Sequence, residues 1–296
     1  MRENHRFTKG AYGILKPMKG GKKARGFTII ETLIVLAVTG GLFVAIAATL
    51  SGRQQRTQFN QSIQEIQSQI QQVINDVGSG FYPSSSNFQC TASLTGPSFT
   101  SGGAAQGTNS GCVFLGKAIQ FKVSGTDPEQ FNVFSIAGLQ RTAAGDEVSS
   151  SDTSQPPYAE AKPKVIAPPS SPVDTTDTKK LQYGLTTYAA YFGPSNTPIS
   201  SVAFVNSLAA YSGGSIVSGS QQVRVVPIPG TTGTTQAQAA ADINNKLVSS
   251  NNVDPAGGVK ICFASGGTQE SGLITIGSNG RQLSVTLSLR GNTTCS

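Results

Sequence analysis

An α+β fold, a long amino-terminal helix packed on a carboxy-terminal antiparallel sheet, follows from three features of this 296-residue sequence. An apolar run from Phe27 to Leu50 leads into a stretch where Phe59, Ile63, Ile66, Ile70, Val73 or Ile74, and Val77 recur at spacings of three and four. No proline stands between Phe27 and Val77 to break a helix. Further on, short runs alternate apolar and polar residues between clusters of Gly, Pro, Ser and Asn, the pattern of strands and turns.

The first element, residues 1–26, is a basic leader. Arg2, Arg6, Lys9, Lys16, Lys19, Lys22, Lys23 and Arg25 against Glu3 account for the whole net charge of +7. The rest of the chain is electrically balanced, so the charge argues for no specific nucleic-acid partner, which needs a basic patch on the folded part. The single histidine, His5, also lies in the leader, which leaves the downstream chain without imidazole for acid–base or metal chemistry.

The second element, residues 27–50, holds one formal charge, Glu31. As a helix rising ~1.5 Å per residue it spans roughly 36 Å, enough to cross a bilayer core. The basic leader keeps its amino-terminal end in the cytoplasm and places the bulk of the chain outside. A carboxylate in hydrocarbon costs a few kcal/mol, so Glu31 calls for a compensating partner. The third element, residues 51–77, prolongs the helix with one narrow apolar stripe among Gln, Ser and Asn, for about 50 residues in all.

The run Lys22-Lys23-Ala24-Arg25-Gly26-Phe27-Thr28-Ile29-Ile30, followed by Glu31, resembles the cleavage-and-assembly signature of type IV prepilins and type II secretion pseudopilins. The resemblance is specific over roughly residues 20 to 50. It implies that a prepilin peptidase cuts between Gly26 and Phe27, that the new amino group of Phe27 is methylated, and that Glu31 is the assembly acid. It further implies single-pass residence in the cytoplasmic membrane before export into a cell-surface filament. Its partners are then the membrane, other pilin subunits and the pilus assembly platform, and its shape is a protruding apolar half-helix joined to a β-rich head. Many members carry a proline late in the apolar segment, where this chain has Ala48. The size, a long insertion and the cysteines favour a minor subunit.

The fourth element, residues 78–296, is the head. Gly78-Ser79-Gly80 and Pro83 end the helix, and the Ser-, Gly- and Thr-rich residues 84–111 read as a loop. Ala118–Ser124 and Gln130–Gly138 flank Gly125-Thr126-Asp127-Pro128 as a hairpin. Residues 142–180, with Pro156-Pro157, Pro163, Pro168-Pro169 and Pro172, read as a surface insertion or linker. A helix is expected over Gln236–Val248, capped by Thr234 or Thr235, with Ala239, Ala240, Ile243 and Leu247 on its inner side. Val259–Ala264, Gly272–Ile276 and Arg281–Leu289 form a three-stranded meander. Cys90, Cys112, Cys262 and Cys295 are even in number and lie in an exported region, so two disulfides are expected. Three connectivities are open; Cys90 with Cys112 and Cys262 with Cys295 close the shortest loops.

No catalytic constellation stands out, and no cofactor, metal or enzymatic activity is expected. Gly111 to Lys117 matches the glycine and lysine spacing of a phosphate-binding loop, but Ala118 replaces the hydroxyl that holds magnesium. Asp174 and Asp177 are weak calcium candidates, and Asn292-Thr293-Thr294 is a glycosylation sequon. A competing reading is an exported or single-pass binding protein or adhesin that never polymerises. Ala45-Ile46-Ala47 before Ala48 is a passable signal-peptidase site, and Tyr183, Tyr188 and Tyr191 supply surface aromatics.

Overall fold

The computed structural model describes residues 26–80, 88–102, 112–121, 129–140, 161–206, 223–230, 235–249, 258–265, 270–279 and 282–291. The basic leader, Gly26 excepted, lies outside the described residues. The chain divides into two units, Met1–Ser51 and Gly52–Ser296, and helix α1 (Ile29–Ser79) contributes to both.

In the first unit α1 is apolar on every side and every described side chain is exposed. Its hydroxyls are satisfied locally: Thr32 Oγ1 donates to Ile29 O at 2.8 Å, Thr39 Oγ1 to Val35 O at 2.7 Å and Thr49 Oγ1 to Ile46 O at 2.9 Å. Such back-bonding hides polar hydrogens from an apolar environment, where each unmet donor is costly.

In the second unit the stripe Phe59, Ile63, Ile66, Ile70, Val73, Ile74 and Val77 is buried, as the spacing predicts. These side chains share one core with residues of the sheet, including Ile119, Phe131, Val202, Phe204, Ile261 and Ile274. Polar contacts frame that core. Ser62 Oγ donates to Gln182 O at 3.0 Å, and Lys117 Nζ pairs with Asp76 Oδ2 at 2.6 Å. Gly272 makes room for α1, because a Cβ there would stand 1.9 Å from Ile63 Cδ1.

The sheet comprises β3 (Cys112–Phe121), β4 (Gln130–Leu139), β5 (Lys164–Val165), β6 (Asp177–Lys180), β7 (Leu185–Phe192), β8 (Thr197–Asn206), β9 (Val223–Pro229), β10 (Val259–Ser265), β11 (Glu270–Asn279) and β12 (Gln282–Gly291). Its order is β12-β11-β10-β7-β8-β3-β4-β5, with β6 also on β4 and β9 also on β8. Every recorded pairing is antiparallel. The expected hairpin is β3–β4 and the expected meander is β10–β11–β12.

Alternation along the central strands feeds two cores. Ile119 and Phe121 of β3, with Val202 and Phe204 of β8, belong to the α1 core. Ala118 and Leu115 of β3, with Ala203 and Val205 of β8, meet helix α2 (Gln236–Val248), which buries Ala239, Ala240, Ile243 and Leu247 as expected. Thr235 caps α2, accepting from Gln238 N.

Two segments differ from the sequence reading. Residues 84–111 are no simple loop, for β1 (Phe88–Ser93) and β2 (Gly96–Ser101) form a hairpin. It holds together on few apolar anchors, since Phe88 and Phe99 meet edge-to-face at 5.9 Å and, with Cys90, are buried. The stretch 142–180 is not a surface insertion over its second half. Ala161, Val165, Ile166 and Ala167 are buried, and β5 and β6 extend the sheet along β4. The partners that bury this stretch lie far away in sequence, so its own composition conceals its role. Residues 142–160 lie outside the described set.

Candidate functional site

The strongest candidate site is the start of the apolar helix. Gly26, Phe27 and Thr28 precede α1 in non-helical conformation. Thr28 is its N-cap: Glu31 N donates to Thr28 O at 3.0 Å and to Thr28 Oγ1 at 3.3 Å. Thr28-Ile29-Ile30-Glu31 therefore has the order of a capping box, Thr followed three residues later by Glu. The Thr-x-x-Glu order stands in the sequence beside the acid that the resemblance marks for assembly. In the first turn the carboxylate also faces the positive end of the helix dipole, which offsets part of its cost.

Nothing in the fold requires glycine at position 26. A Cβ there would touch nothing within 4 Å. Among the described residues nothing covers the Gly26-Phe27 bond, and Phe27 is 74% exposed. Gly40 and Gly41 likewise have open space around them inside a helix, where glycine costs about 1 kcal/mol against alanine. Ala37, Gly41 and Ala45 recur every fourth residue, the spacing at which small residues let helices approach closely in lipid.

α1 is long and apolar enough to cross a membrane by length and composition, and its apolar window is 0% buried. One apolar amino-terminal helix that can anchor the protein in a membrane is thus present.

The other candidates separate. Cys90 and Cys112 form a disulfide with Cα atoms 6.1 Å apart, tying the β1–β2 hairpin to β3. Cys262 is disulfide-bonded too, while its expected partner Cys295 lies outside the described residues. Cys112 to Lys117 run extended within β3, which continues as strand to Phe121 in place of a helix. A phosphate-binding loop needs that helix, and here Lys117 is engaged by Asp76.

Asp174 and Asp177 do not converge on one point. Asp174 Oδ1 accepts from Thr176 N at 2.9 Å and its Oδ2 from Gln236 Nε2 at 3.1 Å, whereas Asp177 pairs with Lys179 at 2.7 Å. Among the described residues no group of three His, Cys, Asp or Glu side chains is placed to hold a metal. Tyr183 and Tyr188 are exposed and Tyr191 is half-buried. Asn292 lies outside the described residues.

Comparison with family models, curated proteins and solved structures returns no match to this chain.

Proposed function

We propose that this chain is a subunit, of the minor kind, of a type IV pilus or a related type II secretion-like filament. The observation that carries the reading is the wholly exposed apolar half of α1, which opens on a dispensable glycine and an acid in its first turn. Exposed apolar surface on that scale needs a non-aqueous neighbour. The membrane supplies one before assembly and the helices of other subunits supply one afterwards. Under this reading a prepilin peptidase cuts at Gly26-Phe27, and the methylated amine of Phe27 pairs with Glu31 of an adjacent subunit, neutralising two charges that lipid penalises. The head, with the second half of α1 laid on its sheet, faces outward as a structural module without catalytic chemistry, and the assembly platform handles the apolar end.

Mass spectrometry of the mature amino terminus tests the processing step. A methylated Phe27 is expected; a chain starting at Ala48, or an intact leader, rejects the reading. Glu31→Ala is expected to insert into membranes at the normal level and to disappear from sheared filaments. Its presence there in normal amount would show that Glu31 has only its capping role.

A further inference from the structure

Strands β12, β5, β6 and β9 form the limits and side branches of the main sheet. Open edges are usually blunted by shortness, charge or proline, which keeps them from pairing with other chains. Three of these strands follow that rule. β5 has two residues, β6 carries Asp177, Lys179 and Lys180, and β9 carries Pro227 and Pro229. β12 does not. It is ten residues long, pairs with β11 alone among the described residues, and has neither charge nor proline from Gln282 to Leu289.

Its sequence has a second property. Leu283-Ser284-Val285-Thr286-Leu287-Ser288-Leu289 reads the same in chemistry from either direction about Thr286. Leu283, Val285 and Leu287 pack against the α1 core, while Thr286 and Ser288 are exposed. One acceptor of β12 is already used within the chain, since Gln67 Nε2 of α1 donates to Val285 O at 2.9 Å.

We infer that β12 is a pairing edge whose occupant is β12 of a second copy, antiparallel and centred on Thr286. That register sets Leu283 against Leu289 of the second copy, Ser284 against its Ser288 and Val285 against its Leu287. Apolar residues continue the apolar face and hydroxyls the polar one. A charged peptide would instead set its charges beside Leu283, Val285 and Leu287. The pair has a two-fold axis normal to the sheet, so both copies use the same patch. Because that axis reverses every strand and the half of α1 laid on them, this contact joins copies outside the common orientation proposed for the filament and does not depend on it.

Register-specific cross-linking of the detergent-solubilised full-length chain tests the inference. Cys90, Cys112 and Cys262 are already in disulfides, and Thr286 is exposed, so Thr286→Cys adds a thiol without disturbing the core. On mild oxidation it is expected to shift to twice the mass of the chain, reversibly with reductant, because residues facing each other on the axis lie within disulfide reach. Ser288→Cys alone should stay at single mass, whereas mixing Ser284→Cys chains with Ser288→Cys chains should restore the dimer. Thr286→Cys remaining at single mass, or Ser288→Cys cross-linking equally well, overturns the inference. An adduct with a different protein in place of the dimer does the same.

Discussion

Ile34 and Ile63 are the same residue on the same helix, yet Ile34 is 60% exposed and Ile63 is 0% exposed. Around Ile34 the sequence is apolar in every direction, and no single face is marked for a core. Around Ile63 the apolar positions form one stripe, with Gln61, Gln64 and Glu65 left on the exposed side. The difference teaches that apolar content is not what buries a helix. A stripe one side wide specifies a partner within the chain, whereas a cylinder apolar all round specifies a solvent or a neighbour outside it.

The contrast is broken most strongly by truncation. Ile63→Ala is expected to cost the sheet-bearing unit about 2–5 kcal/mol, the range for deleting a fully buried aliphatic side chain. Ile34→Ala should leave the unfolding midpoint of that unit where it was. Denaturant titration of the detergent-solubilised chain, followed by tyrosine fluorescence, reads both, and equal shifts would erase the distinction between the halves.

Gly272→Ala sharpens it next. The added methyl would meet Ile63 Cδ1 at 1.9 Å and Phe59 Cζ at 3.4 Å, so a loss of about 1–3 kcal/mol is expected. Ile63→Val removes the opposing methyl, and the double variant should be less destabilised than the two single losses added together. Strict additivity in the same titration would mean that the helix does not press on β11 at this point.

The smallest effect belongs to the last turns of α1. Lys117→Met leaves Asp76, with its side chain 23% exposed, lacking its 2.6 Å partner, for a cost of about 1–2 kcal/mol. Arg56 also pairs across to the sheet, with Glu270 at 3.0 Å, but its side chain is 74% exposed. Arg56→Ala should therefore change the midpoint less than Lys117→Met does, and the reverse order would show that exposure does not rank these pairs.

The legible elements were those whose signal is local. The α1 stripe repeats every three or four residues, α2 announces itself by Thr235 and by Ala239, Ala240, Ile243 and Leu247, and the β3–β4 hairpin has its turn residues between two alternating runs. The candidate site is proposed from the sequence alone, because Gly26, Phe27 and Glu31 lie close together in the chain. Its capping geometry through Thr28 follows from the Thr-x-x-Glu order. The β1–β2 hairpin and the strap from Ala161 to Lys180 were not legible, since Phe88, Phe99, Ile166 and Ala167 carry no periodicity of their own. Phe88, Phe99 and Ile166 are buried together with Ala137 of β4, and Ala167 in the core shared with α2.

By itself the sequence determined where the helices run, which face of each is apolar, and that one apolar half bears an acid in its first turn. These are consequences of spacing along a backbone of known pitch, and they need no knowledge of neighbours. Long-range packing set β10 beside β7 and β8 beside β3, brought Cys90 to Cys112, and left β12 paired with β11 alone among the described residues. Pairings of that kind join residues tens of positions apart. They are chosen by which faces and edges remain to be covered once the local elements exist, and no local pattern encodes that choice.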